Sequence, residues 1–309
     1  MRFGLAGRLL VASLAAGCLS AASIPGGAAK ANGTAGLLTL ESPYKGYVLK
    51  LTSLFWRNGK PVGFALRAQV NDGPDIHLLI DTGARNLLIS RNAARKLNLE
   101  DLGPSSVEGF GSERRSARAA VAHRLQLGHL VLRNVPVDVS AEKPVPDIDG
   151  VIGVEVFRDF LIRINGPKRI LELTPYSEPA REPDGFYPFQ QVGHLILVPV
   201  RVNRRHAGQF LLDSGAVYSA VDPRWSAQSA TNAYLQGVGG AVGTLARTFP
   251  VELELAGRST WESDVVAMDL RSISERHGVP ITGLIGYPAM ARSVLTLDLR
   301  EKRLRISDR

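Results

Sequence analysis

Short apolar runs, interrupted by glycine and polar turns, recur along the whole chain. Residues 123–140 and 249–270 alternate apolar and polar positions around glycine-containing turns, and this period of two predicts β-hairpins. Residues 160–174 and 293–307 show the same alternation and predict a closing hairpin in each half. The chain is therefore predicted to be mostly β-structure.

Helical periodicity is sparse. Residues 90–99 are the best candidate for a short helix, with Ser90 as its N-cap. Residues 154–160 and 287–293 are each predicted to form one or two helical turns. The prolines of residues 174–188 disfavour regular elements, so this stretch is predicted to be a linker between two units.

One long duplication organises the sequence. Residues 70–90 and 202–222 superpose without a gap, and in each an apolar run ends in an acid followed by Thr or Ser and then Gly-Ala. The two acids, Asp81 and Asp213, lie 132 residues apart. One such triplet alone would be an ordinary turn, because Asp bonds to nearby backbone amides and Gly tolerates positive φ.

A second motif follows each acid at nearly the same distance. Gly153 closes a Gly-Val-Ile-Gly sequence 72 residues after Asp81, and Gly286 closes a Gly-Leu-Ile-Gly sequence 73 residues after Asp213. Two acid-bearing turns in register with a second motif indicate a repeated architecture rather than isolated turns.

The N-terminus has the layout of a secretory signal peptide. Arg2 and Arg8 precede an apolar stretch, residues 9–19, and small residues follow it. Residues 1–31 are therefore predicted to be a signal peptide. The protein is predicted to be exported, and to be periplasmic or secreted in a bacterium.

How the signal peptide ends stays open between two alternatives. Residues 29–31 and, earlier, residues 20–22 offer small-residue cleavage sites, whereas Cys18 lies in a sequence that resembles a bacterial lipoprotein acceptor. Only lipidation of Cys18 would attach the protein to a membrane. Cys18 is also the only cysteine, so the mature chain has no structural disulfide, and this suits a bacterial envelope.

Composition narrows the range of functions that the chain could have. With 309 residues, 45% of them apolar, the chain is long enough for two cores. The formal net charge of +8 falls to +5 without residues 1–31, which carry Arg2, Arg8 and Lys30 and no acid. The remaining basic clusters lie far apart and lack interleaved aromatic residues, so nucleic-acid binding is not predicted.

The paired Asp-Thr/Ser-Gly-Ala turns, each with a later apolar-apolar-Gly motif, resemble those of pepsin- and retropepsin-like aspartic peptidases. The hairpin texture is closest to bacterial retropepsin-like proteins that carry two such units in one chain, and the resemblance spans residues 47–306. It implies an all-β fold of two pseudo-symmetric β-barrel-like lobes with a few short helices. The predicted lobes are residues 32–178 and 179–309.

The resemblance also implies an aspartic endopeptidase with Asp81 and Asp213 as its catalytic pair. Two carboxylates within hydrogen-bonding distance share one proton, so one member can take a proton from water while the other protonates the substrate. This chemistry needs no metal, cofactor or covalent intermediate. The residues implied to support the two loops are Thr82, Gly83, Ala84, Ser214, Gly215 and Ala216.

The supporting residue types have separate implied roles. Gly83 and Gly215 let the backbone turn sharply near the carboxylates. The hydroxyls of Thr82 and Ser214 are implied to bond across to the opposite loop. The alternative is that each hydroxyl stabilises only its own turn.

Two alanines change the expected pH dependence. Ala84 and Ala216 stand where many pepsins carry a hydroxyl residue that bonds a carboxylate oxygen. The loss of that hydrogen bond removes a stabiliser of the charged form. Activity is therefore expected to peak in weak acid rather than below about pH 3.

Two glycine-rich stretches are candidate flaps, the mobile hairpins that cover substrate in this family. Each has the Gly-apolar-Gly core of a bending tip, and ordinary glycine loops are the alternative. The candidate residues are Gly109, Phe110 and Gly111 in the first half and Gly237, Val238 and Gly239 in the second.

The predicted partner is a peptide or unfolded-protein substrate, and the protein is predicted to be a monomer. His194 is predicted to be a strand-edge residue rather than a metal ligand, because no second ligand stands at a suitable spacing. The alternative function is a non-catalytic peptide-binding protein on the same fold. The peptidase is favoured because Asp, Thr or Ser, and Gly are intact in both halves.

Overall fold

A computed structural model describes residues 39–40, 44–55, 59–107, 115–141, 148–176, 185–237 and 240–308. Within these residues the chain forms 25 strands, three short α-helices and one 3₁₀-helix. The mostly β-structure predicted from the alternating pattern is confirmed. None of the helices in the described ranges has the length and apolar character needed to cross a membrane.

The strands fall into a first-half group and a second-half group. The strands of the first half are β1 Thr39–Leu40, β2 Tyr47–Lys50, β3 Thr52–Phe55, β4 Pro61–Val70, β5 Asp75–Asp81, β6 Leu87–Ser90, β7 Glu100–Val107, β8 Arg115–Leu127, β9 Leu130–Ser140, β10 Gly150–Gly153, β11 Phe160–Asn165 and β12 Ile170–Pro175. The strands of the second half are β13 Tyr187–Pro188, β14 Gln190–Val192, β15 Leu195–Val202, β16 His206–Leu212, β17 Ser219–Val221, β18 Gln228–Gly237, β19 Gly240–Thr248, β20 Val251–Leu255, β21 Arg258–Glu262, β22 Val265–Ala267, β23 Gly283–Ile285, β24 Val294–Asp298 and β25 Arg303–Ser307.

The two halves repeat one strand arrangement. The first sheet contains the order β9-β6-β10-β5-β4, and the second contains β22-β17-β23-β16-β15. In the first half, β5 leads to the acid and lies between the antiparallel strand β4 and the short parallel strand β10. In the second half, β16 leads to the acid and lies between the antiparallel strand β15 and the short parallel strand β23. The repeated strand order confirms the repeated architecture that the duplication indicates.

The predicted hairpins are present. Strands β8 and β9 pair antiparallel with Leu127 opposite Leu130, and β20 and β21 pair with Leu255 opposite Arg258. The alternating residues of β8 and β9 bury one face for most of their length, as the period of two requires. The hairpins β11–β12 and β24–β25 also form as expected.

A six-stranded sheet joins the two halves in a way the hairpin pattern does not indicate. Its order is β13-β25-β24-β11-β12-β2. The central contact is an antiparallel pairing of β11 with β24, in which Ile164 faces Leu295. The closing hairpins of the two halves thus merge into one sheet, and the largest buried apolar cluster runs through both halves.

The helices follow the prediction in part. Helix α1 is Arg91–Ala94, and the Ser90 hydroxyl accepts a hydrogen bond from the Ala93 amide at 3.3 Å, which confirms the N-cap. The helix ends at Ala94, earlier than the predicted residue 99, and residues 95–98 form turns, with Asn98 at positive φ before β7.

The remaining helical turns include one that the pattern missed. The 3₁₀-helix Val154–Phe157 and helix α3 Tyr287–Ala291 lie where one or two turns were predicted. Helix α2, Arg271–His277, was not predicted, because Ile273 is its only buried residue and one apolar position gives no periodic signal.

The prediction that residues 174–188 contain no regular elements is wrong at both ends. Strand β12 continues through Pro175, and Tyr187–Pro188 forms an edge strand opposite Leu304 and Arg303. An edge strand tolerates proline because its unpaired side needs no amide donor. Residues 177–184, where the predicted lobe boundary lies, are outside the described ranges, so the boundary stays a prediction.

Candidate active site

Each acid lies at the end of an apolar strand, beside the second motif of its own half. Asp81 is the last residue of β5 and pairs with Gly153 of the parallel strand β10. Asp213 follows β16, and its amide donates to the carbonyl of Ile285 in β23 at 2.9 Å. Both acids are completely buried. The two sequence motifs of each half therefore recur together because they are neighbours in the sheet.

The glycines of the second motif allow the closest approach of these strands to the acid loops. A Cβ atom on Gly153 would lie 2.3 Å from the carbonyl oxygen of Ala84, and one on Gly286 would lie 2.4 Å from that of Tyr218. Both distances are shorter than any side-chain contact, so only glycine fits. Larger residues would push each loop away from its sheet.

Each carboxylate organises its own turn by the same hydrogen bond. The Gly83 amide donates to Oδ1 of Asp81 at 2.8 Å, and the Gly215 amide donates to Oδ1 of Asp213 at 2.9 Å. An amide that donates to a carboxylate oxygen stabilises its charged form. The two turns are therefore equivalent in geometry, and neither acid is singled out by this contact.

The hydroxyls of Thr82 and Ser214 cross between the loops. Thr82 Oγ1 donates to the carbonyl of Leu212 at 2.8 Å and accepts from the Ser214 amide at 2.9 Å. Ser214 Oγ donates to the carbonyl of Ile80 at 2.8 Å and accepts from the Thr82 amide at 3.0 Å. Four buried hydrogen bonds thus tie the two loops into one support, which is the arrangement the resemblance implies.

Both carboxylates converge on the backbone of Gly215. Its amide holds Asp213, while a Cβ atom built on it would lie only 2.6 Å from Oδ2 of Asp81. The carboxyl group of Asp81 therefore reaches the loop of the other half, next to the residue that holds the second acid. Sequence positions 132 residues apart are brought to one point by the crossed hydroxyl bonds.

The alanines after the glycines offer the carboxylates no side-chain hydrogen bond. Ala84 and Ala216 are buried, and each amide closes its turn on the carbonyl of the preceding acid at 3.2 Å. Their methyl groups belong to two separate buried apolar clusters. The environment of the acids is therefore less polar than one with hydroxyls at these two positions.

The candidate flap residues lie mostly outside the described ranges. Gly109, Phe110, Gly111, Val238 and Gly239 are not described. The strands before and after them are: β7 and β8 pair up to Val107 opposite Arg115, and β18 and β19 pair up to Gly237 opposite Gly240. Both candidates thus sit between antiparallel strands, and the flap role stays a prediction.

Sequence reasoning missed a charged cluster at the second acid loop. The Lys60 ammonium lies 2.7 Å from Oδ1 of Asp264 and 3.9 Å from the centroid of the Tyr218 ring. Arg247, on strand β19, donates to the Tyr218 hydroxyl at 2.8 Å and lies 3.6 Å from the same Asp264 oxygen. Burial lowers the pKa of Lys60, and its hydrogen bond to Asp264 partly offsets this effect.

His194 contacts the other acid loop and does not occupy the strand-edge position predicted for it. It lies in the turn between β14 and β15 and is only 7% exposed. Its pKa is lowered to about 4, chiefly by burial and also by the nearby charges of His277 and Arg85, while a hydrogen bond with the Gly83 backbone partly opposes these effects. Among the described residues, none bonds its buried Nε2 atom.

The lowered pKa of His194 makes the free energy of unfolding depend on pH. Its ordinary pKa is 6.5, so between about pH 4 and 6.5 the unfolded chain binds a proton that the folded protein excludes. Stability is therefore complete above pH 6.5 and falls by up to about 3 kcal/mol as the pH drops to 4. Urea unfolding at pH 4.5 and 7.5 measures this difference, and His194→Gln should reduce it.

An exposed histidine provides the control for this prediction. His123 has a side chain that is 56% exposed and lies 3.1 Å from Glu100, so His123→Gln shows whether removing a histidine outside the core has the same effect as His194→Gln. An equal pH dependence in the wild-type protein and His194→Gln would contradict the burial argument.

Within the described ranges, no group of three or more His, Cys, Asp or Glu side chains is placed to hold a metal ion. The acids of the site are instead held by backbone amides and by each other's loops. The arrangement suits proton transfer to and from a small molecule between the two carboxylates.

Comparison with known proteins agrees with this geometry. Residues 66–156 match a family model described as "Aspartyl protease", and this segment contains Asp81 and the Gly150–Gly153 motif. The crystal structure of the aspartic proteinase from Irpex lacteus aligns with a TM-score of 0.58 at 11% sequence identity, covering 85% of this chain and 97% of that one. No curated protein matches the chain.

These findings define an aspartic protease fold, and the family match falls on the lobe that contains the first acid. The structural match, at low identity, extends the fold to both lobes. The resemblance of this chain to the pepsin- and retropepsin-like aspartic peptidases is thereby confirmed.

Proposed function

We propose that this protein is an exported aspartic endopeptidase that cleaves extended peptide or unfolded-protein segments. The family and the fold suggest peptide hydrolysis. The observation that carries the proposal is the meeting of Asp81 and Asp213 at Gly215, with each acid held by an equivalent amide. Such a pair can share a proton and activate one water molecule, as the dyads of aspartic proteases do.

The proposed reaction assigns opposite roles to the two acids at any moment. The ionised carboxylate takes a proton from water, and the resulting hydroxide attacks the peptide carbonyl carbon. The protonated carboxyl gives its proton to the carbonyl oxygen, which yields a tetrahedral diol. The carboxyl that took the proton from water then protonates the leaving nitrogen as the C–N bond breaks, and the other carboxylate takes back one proton from a diol hydroxyl, so that the pair again holds a single proton. Because the turns are equivalent, either Asp81 or Asp213 can begin as the base.

One observation favours a second candidate function, a peptide-binding protein without turnover. Asp81 and Asp213 have no exposed surface, so a substrate reaches them only when the residues that cover them move. If these residues do not move far enough, peptides would bind nearby by strand-like backbone hydrogen bonds and remain intact.

A cleavage-site profile on a peptide library separates the two functions. The library is incubated across about pH 2 to 8 with the wild-type protein, with and without a pepstatin-type inhibitor. The peptidase predicts inhibitor-sensitive cleavage that peaks in weak acid, because Ala84 and Ala216 leave the ionised pair without hydroxyl donors. Tight peptide binding without cleavage at any pH would support the second function, and a peak below about pH 3 would contradict the alanine argument.

A further inference from the structure

The first hairpin of each half occupies the same place in the duplicated architecture. Hairpin A is β3–β4, and hairpin B is β14–β15. The second strand of each pairs antiparallel with the strand that leads to the acid, β5 or β16. A basic residue lies just before that second strand: Lys60 in hairpin A and His194 in hairpin B.

The tip of hairpin A contacts the acid loop of the other half. Lys60 binds Asp264 and lies over the ring of Tyr218, five residues after Asp213. Val62, two residues further along, belongs to the same buried cluster as Ala216 and Val217. Val62 and Lys60 of the first half thus lie against the loop that carries the second acid.

The tip of hairpin B makes the reciprocal contact. His194 hydrogen-bonds with the backbone of Gly83, two residues after Asp81, and lies near Arg85 of the same loop. The neighbouring Leu195 is buried, but it belongs to the cluster of Val62 and Ala216 rather than to that of Ala84, so the contact with the first loop rests on His194. A residue of the second half thus contacts the loop that carries the first acid. Together the two hairpins make a pair of contacts, each from one half to the acid loop of the other.

The asymmetry between the tips is chemical. Lys60 has a carboxylate partner, Asp264, which also binds Arg247 of β19 and whose backbone carbonyl accepts from the Ser219 amide at 3.1 Å. Among the described residues, the groups that act on His194 are the Gly83 backbone, the cation Arg85, which also lies near the Glu155 carboxylate, and, from α2, His277. A proton added to His194 therefore meets repulsion.

We propose that Lys60 and His194 are positioning residues of two reciprocal clamps, each fixing the acid loop of the opposite half. This inference rests on the proposed function, since the clamped loops matter only if Asp81 and Asp213 work as a pair. The two hydroxyl bonds of Thr82 and Ser214 tie the loops to each other, and the clamps tie each loop to the other lobe.

Acid acts on the two clamps differently. Protonation of His194 places an imidazolium against Arg85 and His277 with no acceptor at Nε2 among the described residues, so the clamp on the Asp81 loop loosens. The contact of Lys60 with the Tyr218 ring does not require a change of protonation. Because the loop of Asp81 loosens at low pH, activity is expected to fall as the pH is lowered.

Hydrogen exchange followed by mass spectrometry tests the crossed pattern without relying on catalysis. At pH 7, Lys60→Met should raise amide exchange roughly tenfold in residues 214–219 and leave residues 82–86 unchanged. His194→Gln should do the opposite. Lys60→Arg, which keeps the cation, should restore protection, and Asp264→Asn should reproduce Lys60→Met by removing its partner.

Matched controls lie on the same two hairpins. Arg67 on β4 and Arg201 on β15 pair with Asp75 and Glu254 of their own halves. Arg67→Met and Arg201→Gln should leave exchange in both acid loops unchanged. The clamps are refuted if Lys60→Met and His194→Gln loosen only the loop of their own half, loosen both loops equally, or loosen neither.

Kinetics then separates the clamps from the proposed function. In an active wild-type protein, Lys60→Met should lower kcat several-fold with little change in KM, because positioning rather than substrate contact is lost. His194→Gln should flatten the acid limb of the pH–rate profile. If each substitution raises exchange in the opposite acid loop but the wild-type protein cleaves no peptide, the clamps are supported and the peptidase is refuted. If the wild-type protein cleaves peptides but the substitutions do not raise exchange in the opposite loops, the peptidase is supported and the clamps are refuted.

Discussion

If the protein is the proposed peptidase, replacing Asp81 or Asp213 by Asn should lower kcat/KM for peptide cleavage by about 10³-fold or more. An amide cannot take a proton from water at any working pH, and it cannot pass one to the substrate, so each substitution removes one of the two proton-transfer partners. Asn keeps the size of the side chain and can still accept the hydrogen bond from Gly83 or Gly215 through its amide oxygen. Steady-state kinetics at the optimum pH measures the loss.

The double substitution should cost little more than either single one, because the two acids act as a unit. A matched control is Asp138→Asn, which changes a carboxylate that is 3% exposed and that accepts from the Ser105 hydroxyl at 3.0 Å. This variant should retain nearly full kcat/KM. Rapid hydrolysis in Asp81→Asn or Asp213→Asn would overturn the assignment of the pair.

The sequence predicts those parts of the structure that short-range chemistry determines. Alternating residues predict the hairpins, and the Ser90 hydroxyl marks the start of α1. The acid turns are visible because Asp and Gly two residues apart can bond to each other, as Gly83 and Asp81 do. The repetition of the turn, rather than either copy, makes it recognisable as a site.

The parts that escape prediction depend on partners far apart in the chain. Strand β11 alternates in the same way whether it ends a sheet or pairs with β24, so the joining of the two closing hairpins has no local signal. Lys60 is 204 residues from Asp264, and nothing around His194 indicates that Gly83 lies beside it. Both residues sit in turns, where a basic side chain is usually exposed to solvent.

The crossed hydroxyl bonds illustrate the boundary between the two kinds of knowledge. From the residues alone, Thr82 and Ser214 could equally have stabilised their own turns. Only the resemblance to a family implies that they cross, and the structure has them bond to Leu212 and Ile80 of the opposite halves. The residue types determine which groups can donate and accept hydrogen bonds, and the tertiary fold determines which of these groups pair.

Gly215→Ala should lower kcat/KM by about 10²-fold or more, although Asp81 and Asp213 are both kept. The new Cβ atom would lie 2.6 Å from Oδ2 and 2.7 Å from Cγ of Asp81, distances that force the carboxyl group away from the opposite loop. A displacement of about 1 Å in a catalytic group is enough for a loss of this size. Overpacking should also lower the free energy of unfolding by about 1–3 kcal/mol.

The matched control for Gly215→Ala is Gly46→Ala, whose Cβ atom would meet its nearest neighbour, the carbonyl oxygen of Leu173, at an ordinary 3.5 Å. It should leave both kcat/KM and urea unfolding nearly unchanged. Full activity in Gly215→Ala would mean that the carboxyl group of Asp81 can move away from this loop without loss. The two acids would then not depend on their meeting at Gly215, and catalysis by a closely held pair would lose its geometric basis.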